Sequence, residues 1–201
     1  MSSPPVPAGP KTTHPDASLT SVALIARQAI VNAQHVVIGY ELFNRSRTGP
    51  THTAATDVAL VFTALSHAGT DELVGKKLIF VNCTHESLTG GHLELVDPEK
   101  FVLEIPPLGH AAVDEVAARL PILQGLNERG FHLAFNHTVL QSAYAAWLPL
   151  ADYIKLDLSV LAPDQLAVLI SYANRHSTAE LIAEKVETAQ QYDTASSQGI
   201  Q

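Results

Sequence analysis

An α/β fold on a largely parallel sheet, either closed into a barrel or wound open, is what this sequence predicts. Six short apolar runs each end in a side chain able to hold a cation: VVIGYE on Glu41, LIFVN on Asn82, FVLE on Glu104, HLAFN on Asn136, YIKLD on Asp157 and LIAE on Glu184. Most of the intervening segments carry helical patterning and are long enough for the repeated strand-helix units of such a sheet. The runs are continuous Val/Ile/Leu stretches, as suits parallel strands buried on both faces. The ligand face of such a sheet lies beyond the carboxyl ends of its strands.

The first 20 residues, MSSPPVPAGPKTTHPDASLT, carry four Pro before position 11 and no apolar h-region. They read as a flexible leader, and residues 21–201 as one domain. RQAIV at 27–31 and VVIGYELF at 36–43 are two apolar segments joined by a linker of hairpin length, so an antiparallel pair opens the domain. From 53 to 67 the apolar residues Ala55, Val58, Ala59, Val61, Phe62 and Leu65 approximate a helical period, and Gly69 follows as a stop.

Residues 77–82 return to strand, and a weaker helical turn covers 93–98. The next strand is 101–105, followed by a helix over 111–129 with Gly130 at its C-terminal stop and a strand over 131–136. A short helical link at 141–148 leads to a strand at 153–158. Pro163 suits the first turn of a helix running to about 175, residues 180–183 form a seventh strand, and 188–196 begin a last helix. An eight-stranded barrel would need one more strand to close.

At 201 residues and 46% hydrophobic the chain can bury one sizeable core. Its formal charge of -8, from 12 Lys+Arg against 20 Asp+Glu, argues against a broad contact with nucleic acid or with an anionic membrane. No apolar run reaches the roughly 18 residues of a bilayer span. One cysteine, Cys83, excludes an internal disulfide framework and fits a soluble protein of the reducing cytoplasm. There is no GxSxG, P-loop or CxxC, so serine-nucleophile hydrolysis, nucleoside triphosphate binding and a zinc finger lack support.

Glu41 in GYELFNR, Asn82 in FVNCT, Glu104 in FVLEI, Lys155 and Asp157 in DYIKLD, and Glu184 and Glu187 in LIAEKVET together resemble the EAL domain of bacterial cyclic di-GMP phosphodiesterases. Order and intervals match over nearly all of 27–201, and LIAEKVET is the most specific piece. The ELFNR and AEKVET forms are most similar to the subgroup in which an EAL domain precedes an HDOD domain. This resemblance implies a modified TIM barrel whose first strand runs antiparallel, with the closing eighth strand missing from this chain.

The resemblance also implies a site. In active members two Mg2+ or Mn2+ ions hold the water that opens cyclic di-GMP to pGpG, a use of paired hard cations on oxygen ligands. Carried over by motif, Glu41, Asn82 and Glu104 are metal ligands, Lys155 and Glu184 handle the catalytic water, Glu187 supports the site, and Arg45 meets a substrate phosphate. Asn136 falls at the metal-bridging position. There, active members carry Asp-Asp-Phe-Gly, and this chain reads Asn136-His137-Thr138-Val139.

An amide bridges metals poorly, and each lost charge pair amounts to about 4 kcal/mol at intermediate dielectric, so the second metal is expected to be lost or weak. A family Glu is also replaced within Pro106-Pro107, and the following Gly-rich loop has become Val139-Leu140-Gln141-Ser142. The resemblance therefore points to a pseudoenzyme: a degenerate EAL domain that binds a signalling protein, an HDOD domain or cyclic di-GMP, with a homodimer as a further possibility. The alternative is a low-activity phosphodiesterase rescued by a ligand such as His137, although a hydrogen-bonded loop histidine is the plainer reading of that residue. The remaining histidines, His85 and His132 among them, read as surface residues.

Overall fold

The structure, a computed structural model, describes residues 25–32, 34–44, 75–110 and 112–200. The leader, Arg45 and the helix expected over 53–67 lie outside the described residues. Seven strands form one sheet in chain order: β1 (Ile25–Val31), β2 (Val37–Asn44), β3 (Leu78–Asn82), β4 (Phe101–Ile105), β5 (His132–Asn136), β6 (Tyr153–Asp157) and β7 (Glu180–Glu184). β1 pairs antiparallel with β2, and every later neighbour pairs in parallel. This is the predicted mixed α/β sheet with its first strand reversed.

The opening turn has a local cause. The Asn32 side chain accepts hydrogen bonds from the backbone N–H groups of Gln34 and Val36, and His35 takes a left-handed φ of 60° to close the hairpin.

Among the described residues three α-helices follow strands β4, β6 and β7. α1 (Val113–Glu128) carries acidic Asp114 and Glu115 in its first turn, and Gly130 at φ 95° leads the chain away from its end. α2 (Pro163–His176) begins with Pro163 inside its first turn and ends with basic Arg175 and His176. α3 (Ala189–Ser197) opens on a capping box in which Thr188 Oγ1 accepts from Gln191 N. The expected helical link after β5 is instead a set of 3-10 turns, at His137–Leu140, Ser142–Tyr144 and Leu148–Leu150. Trp147 pins this segment, because its buried indole N–H donates to Val116 O at the start of α1.

The sheet divides the apolar residues into two layers. Ile79, Leu103, Leu133 and Ile154 point outward to the helices in the larger core, while Phe80, Val102, Ala134, Tyr153 and Ile182 form a smaller cluster on the opposite face. Strand alternation requires this, since neighbouring residues face opposite ways. Gly39 belongs to the inner face for a steric reason: a Cβ there would lie 2.8 Å from the Phe80 ring and 2.9 Å from Leu78 O.

Among the described residues β1 and β7 are the two edges of the sheet. α3 spans the gap between them, with Tyr192 stacked on His35 at 5.2 Å and Ile200 buried beneath. No helix among the described residues is long and apolar enough to cross a membrane.

Candidate functional site

The inner layer continues, two residues further along each strand, into a polar ring. Glu41 follows Gly39, Asn82 follows Phe80, Glu104 follows Val102, Asn136 follows Ala134, Lys155 follows Tyr153, and Glu184 follows Ile182. A period of two keeps each polar residue on the face of its apolar predecessor. Six strand ends therefore deliver polar groups to one end of the inner face. Asp157, which the sequence pattern grouped with them, lies two residues beyond Lys155 and turns to other partners.

Lys155 stands at the centre. Its Nζ lies 2.5 Å from Glu104 Oε2, 2.6 Å from Glu184 Oε1 and 3.1 Å from Glu41 Oε2. Asn82 Nδ2 donates to the other Glu41 oxygen at 3.0 Å. One oxygen from each of Glu41, Glu104 and Glu184 lies within 4.8 Å of the others. Three carboxylates against one ammonium leave the cluster with excess negative charge.

Burial shapes the titration of this cluster. Burial raises the Glu104 carboxyl to about 7; Lys155 opposes the shift, while Glu41 and Glu184 reinforce it. For Lys155 burial acts to lower the ammonium, but Glu104, Glu41 and Glu184 outweigh it and hold the group above the ordinary lysine range. Glu104 Oε1 is buried and has no hydrogen-bond partner among the described residues.

The end of β5 is built differently. Asn136 Oδ1 accepts hydrogen bonds from Thr138 N at 3.0 Å and Thr138 Oγ1 at 2.5 Å, capping the His137–Leu140 turn. The amide oxygen is committed to the backbone of its own loop. His137 is half-buried, and the group of convergent metal-type donors is formed by Glu41, Glu104 and Glu184 without it.

Glu187 is exposed beyond β7, where its backbone N–H donates to Gln191 Oε1 at 2.8 Å. Arg45 lies outside the described residues. Two histidines expected at the surface are partly enclosed. His85 tilts against buried Trp147 at 6.1 Å, and burial lowers its pKa; His132, half-buried, lies 3.6 Å from Asp152 Oδ1. Sequence reasoning missed Lys185, whose Nζ meets Asp157 Oδ2 at 2.5 Å. Its one sequence signal was a basic residue directly after Glu184.

Among the described residues two cavities open beside the cluster. One, of about 420 Å³, lies at the seam between β1 and β7 and is lined by Gln28, Glu41, Lys155, Glu184, Lys185 and Tyr192. The other, of about 240 Å³, covers the ends of β3 to β6 and is lined by Asn82, Cys83, Glu104, Pro107, Asn136 and Lys155. Glu184 and Lys155 border both. The donor set suits one hard divalent cation, because it offers convergent carboxylates and an unpartnered buried oxygen on Glu104. At the end of β5 the chain presents a capping amide, that of Asn136, rather than a carboxylate.

No family model matches the chain. It is 27% identical over 198 residues to the cyclic di-GMP phosphodiesterase CdgJ of Vibrio cholerae, covering 95% of this chain and 45% of that protein. The chain thus spans about half the length of this curated relative.

Solved structures share the fold. An EAL-domain protein of Bacillus subtilis, YkuI, in complex with substrate c-di-GMP and calcium, superposes with a TM-score of 0.62 at 21% identity, covering 87% of this chain and 51% of that one. Klebsiella pneumoniae BlrP1, in a manganese and cyclic di-GMP complex, gives 0.66 at 22% identity over 89% of this chain and 53% of its own. Among the described residues, the curled seven-stranded sheet with its reversed first strand matches the EAL barrel fold over seven strands.

Proposed function

We propose that this chain is an EAL-type domain of cyclic di-GMP signalling that holds at most one divalent cation and acts by binding rather than by hydrolysis. The observation carrying this reading is Asn136: its side-chain oxygen caps its own loop, so β5 contributes no carboxylate to the site. Glu41, Asn82 and Glu104 would hold the single Mg2+ or Mn2+, with Glu184 beside them. Such an ion supplies charge stabilisation for a phosphate oxygen or acidifies a bound water.

A phosphate would reach this face through the bound cation. The three N–H groups of Lys155 are taken up by Glu41, Glu104 and Glu184, and the ammonium holds those carboxylates together. Similarity to CdgJ and to structures solved with cyclic di-GMP supports that ligand. A signalling protein, such as an HDOD domain, or a second copy of the chain is the partner this reading allows.

A second reading, a phosphodiesterase of low activity, is favoured by the retention of Glu41, Glu104, Lys155 and Glu184 in one cluster. Calorimetry with cyclic di-GMP in Mg2+ or Mn2+ tests the first reading, which expects saturable heat and no pGpG. Release of pGpG above a Glu41→Ala control selects the second. Absence of saturable heat with every metal would leave the chain a protein-interaction module.

A further inference from the structure

Glu184 ends β7, yet the residue after it adopts a backbone that its side chain disfavours. Lys185 has φ 55°, and among the described residues His35 is the other non-glycine at positive φ. His35 closes a hairpin. Lys185 has no hairpin to close, and left-handed backbone at a long side chain persists where surrounding contacts hold it.

Those contacts are specific. Lys185 Nζ meets Asp157 Oδ2, and Asp157 Oδ1 accepts from Ser159 N at 2.9 Å and Ser159 Oγ at 2.6 Å. Burial acts to raise the Asp157 carboxyl, but the bonds from Lys185 and Ser159 hold it down at about 2. Asp157 is also the register partner of Glu184, and Leu158 N donates to Glu184 O at 3.1 Å. Glu184 is therefore fixed from the β6 side by its own carbonyl and, one residue later, by an ion pair across the same two strands.

We propose that Lys185 is a positioning residue: its left-handed backbone and its ion pair with Asp157 form a latch between β6 and β7 that aims the Glu184 carboxylate at Lys155. The latch reaches the carboxylate cluster through Glu184, whose Oε1 lies 2.6 Å from Lys155 Nζ. It also sets the exit of the chain toward Thr188 and α3, which covers the seam cavity. The proposal rests on the reading of Glu184 as part of the cation and anion site.

Three variants of the full chain test it. Lys185→Gly removes the ion pair while easing the left-handed backbone, so it should fold as well as the parent. Asp157→Asn keeps an acceptor for Ser159 and removes the charge. Lys185→Arg keeps the charge and should behave as the parent.

The first readout needs no metal: the rate of reductive methylation of Lys155, followed by carbon NMR against exposed Lys76. It should rise several-fold in Lys185→Gly and Asp157→Asn and return in Lys185→Arg, at unchanged thermal midpoint. The second is Mn2+ alone, whose affinity should fall several-fold in the same two variants. A parental methylation rate in Lys185→Gly overturns the latch, as does a change that merely follows a lowered midpoint. If the parent binds no Mn2+ but Lys155 still responds, the latch stands and the cation reading fails.

Discussion

Lys155 Nζ and Glu104 Oε2 meet at 2.5 Å across 51 residues of sequence, with side chains only 5% and 10% exposed. An ion pair this enclosed persists because Glu41 and Glu184 complete the shell of the ammonium. Breaking a buried pair by removing one partner is strongly destabilising, since the remaining charges lose their compensation.

Lys155→Met should therefore cost about 3–5 kcal/mol at neutral pH, because it leaves three carboxylates facing one another. Urea unfolding measures the loss. Added Mn2+ should restore more stability to this variant than to the parent, since a bound ion stabilises the state that binds it. Equal responses would show that the carboxylates do not form a cation site.

Glu104 sets a pH dependence whose sign is fixed. Its folded value of about 7 lies above the ordinary 4.5, so the folded state binds this proton more tightly. The stabilisation is fully present below 4.5 and is lost as pH rises through about 7. Glu104→Gln, which mimics the protonated form, should gain on the parent across that window in metal-free urea melts. A constant difference between the two proteins would show that Glu104 is ionised throughout.

Asn136→Asp combined with His137→Asp should add a divalent site without disturbing the fold. Asp caps a turn as well as Asn does, so the bonds from Thr138 can survive the change. Calorimetric titration with Mn2+ should show one more ion bound than in the parent. Unchanged stoichiometry would mean that the end of β5 is not what limits the site.

Gly39→Ala should destabilise by about 1–3 kcal/mol, the usual range for overpacking a core. The new methyl would stand 2.8 Å from the Phe80 ring and 2.9 Å from a backbone carbonyl, and the carbonyl cannot swing aside. Thermal unfolding checks this. Phe80→Leu should recover part of the loss by vacating the space beside the methyl.

The strands and their polar ends were legible in the sequence because both rest on local rules. A continuous apolar run marks a strand buried on both faces, and a period of two puts Phe80 with Asn82 and Val102 with Glu104 on one side. The hairpin before β2, the helix after Pro163 and the last helix beginning near Thr188 were readable for the same reason. Loop geometry was less so: the segment after β5 looks helical by composition, but Trp147 reaching to Val116 and Asn136 bonding to Thr138 fold it into 3-10 turns.

By itself, then, the sequence determined the order of the elements, the reversed first strand and the set of polar strand ends. Only the tertiary structure decided how those ends interact. Lys155 could have paired with Asp157, two residues away on the same strand, but pairing across the sheet brings Glu41, Glu104 and Glu184 around Lys155, and Asp157 meets Lys185. Which charges meet depends on the stagger of strands distant in the chain, a property of pairing across the whole sheet that no local pattern encodes.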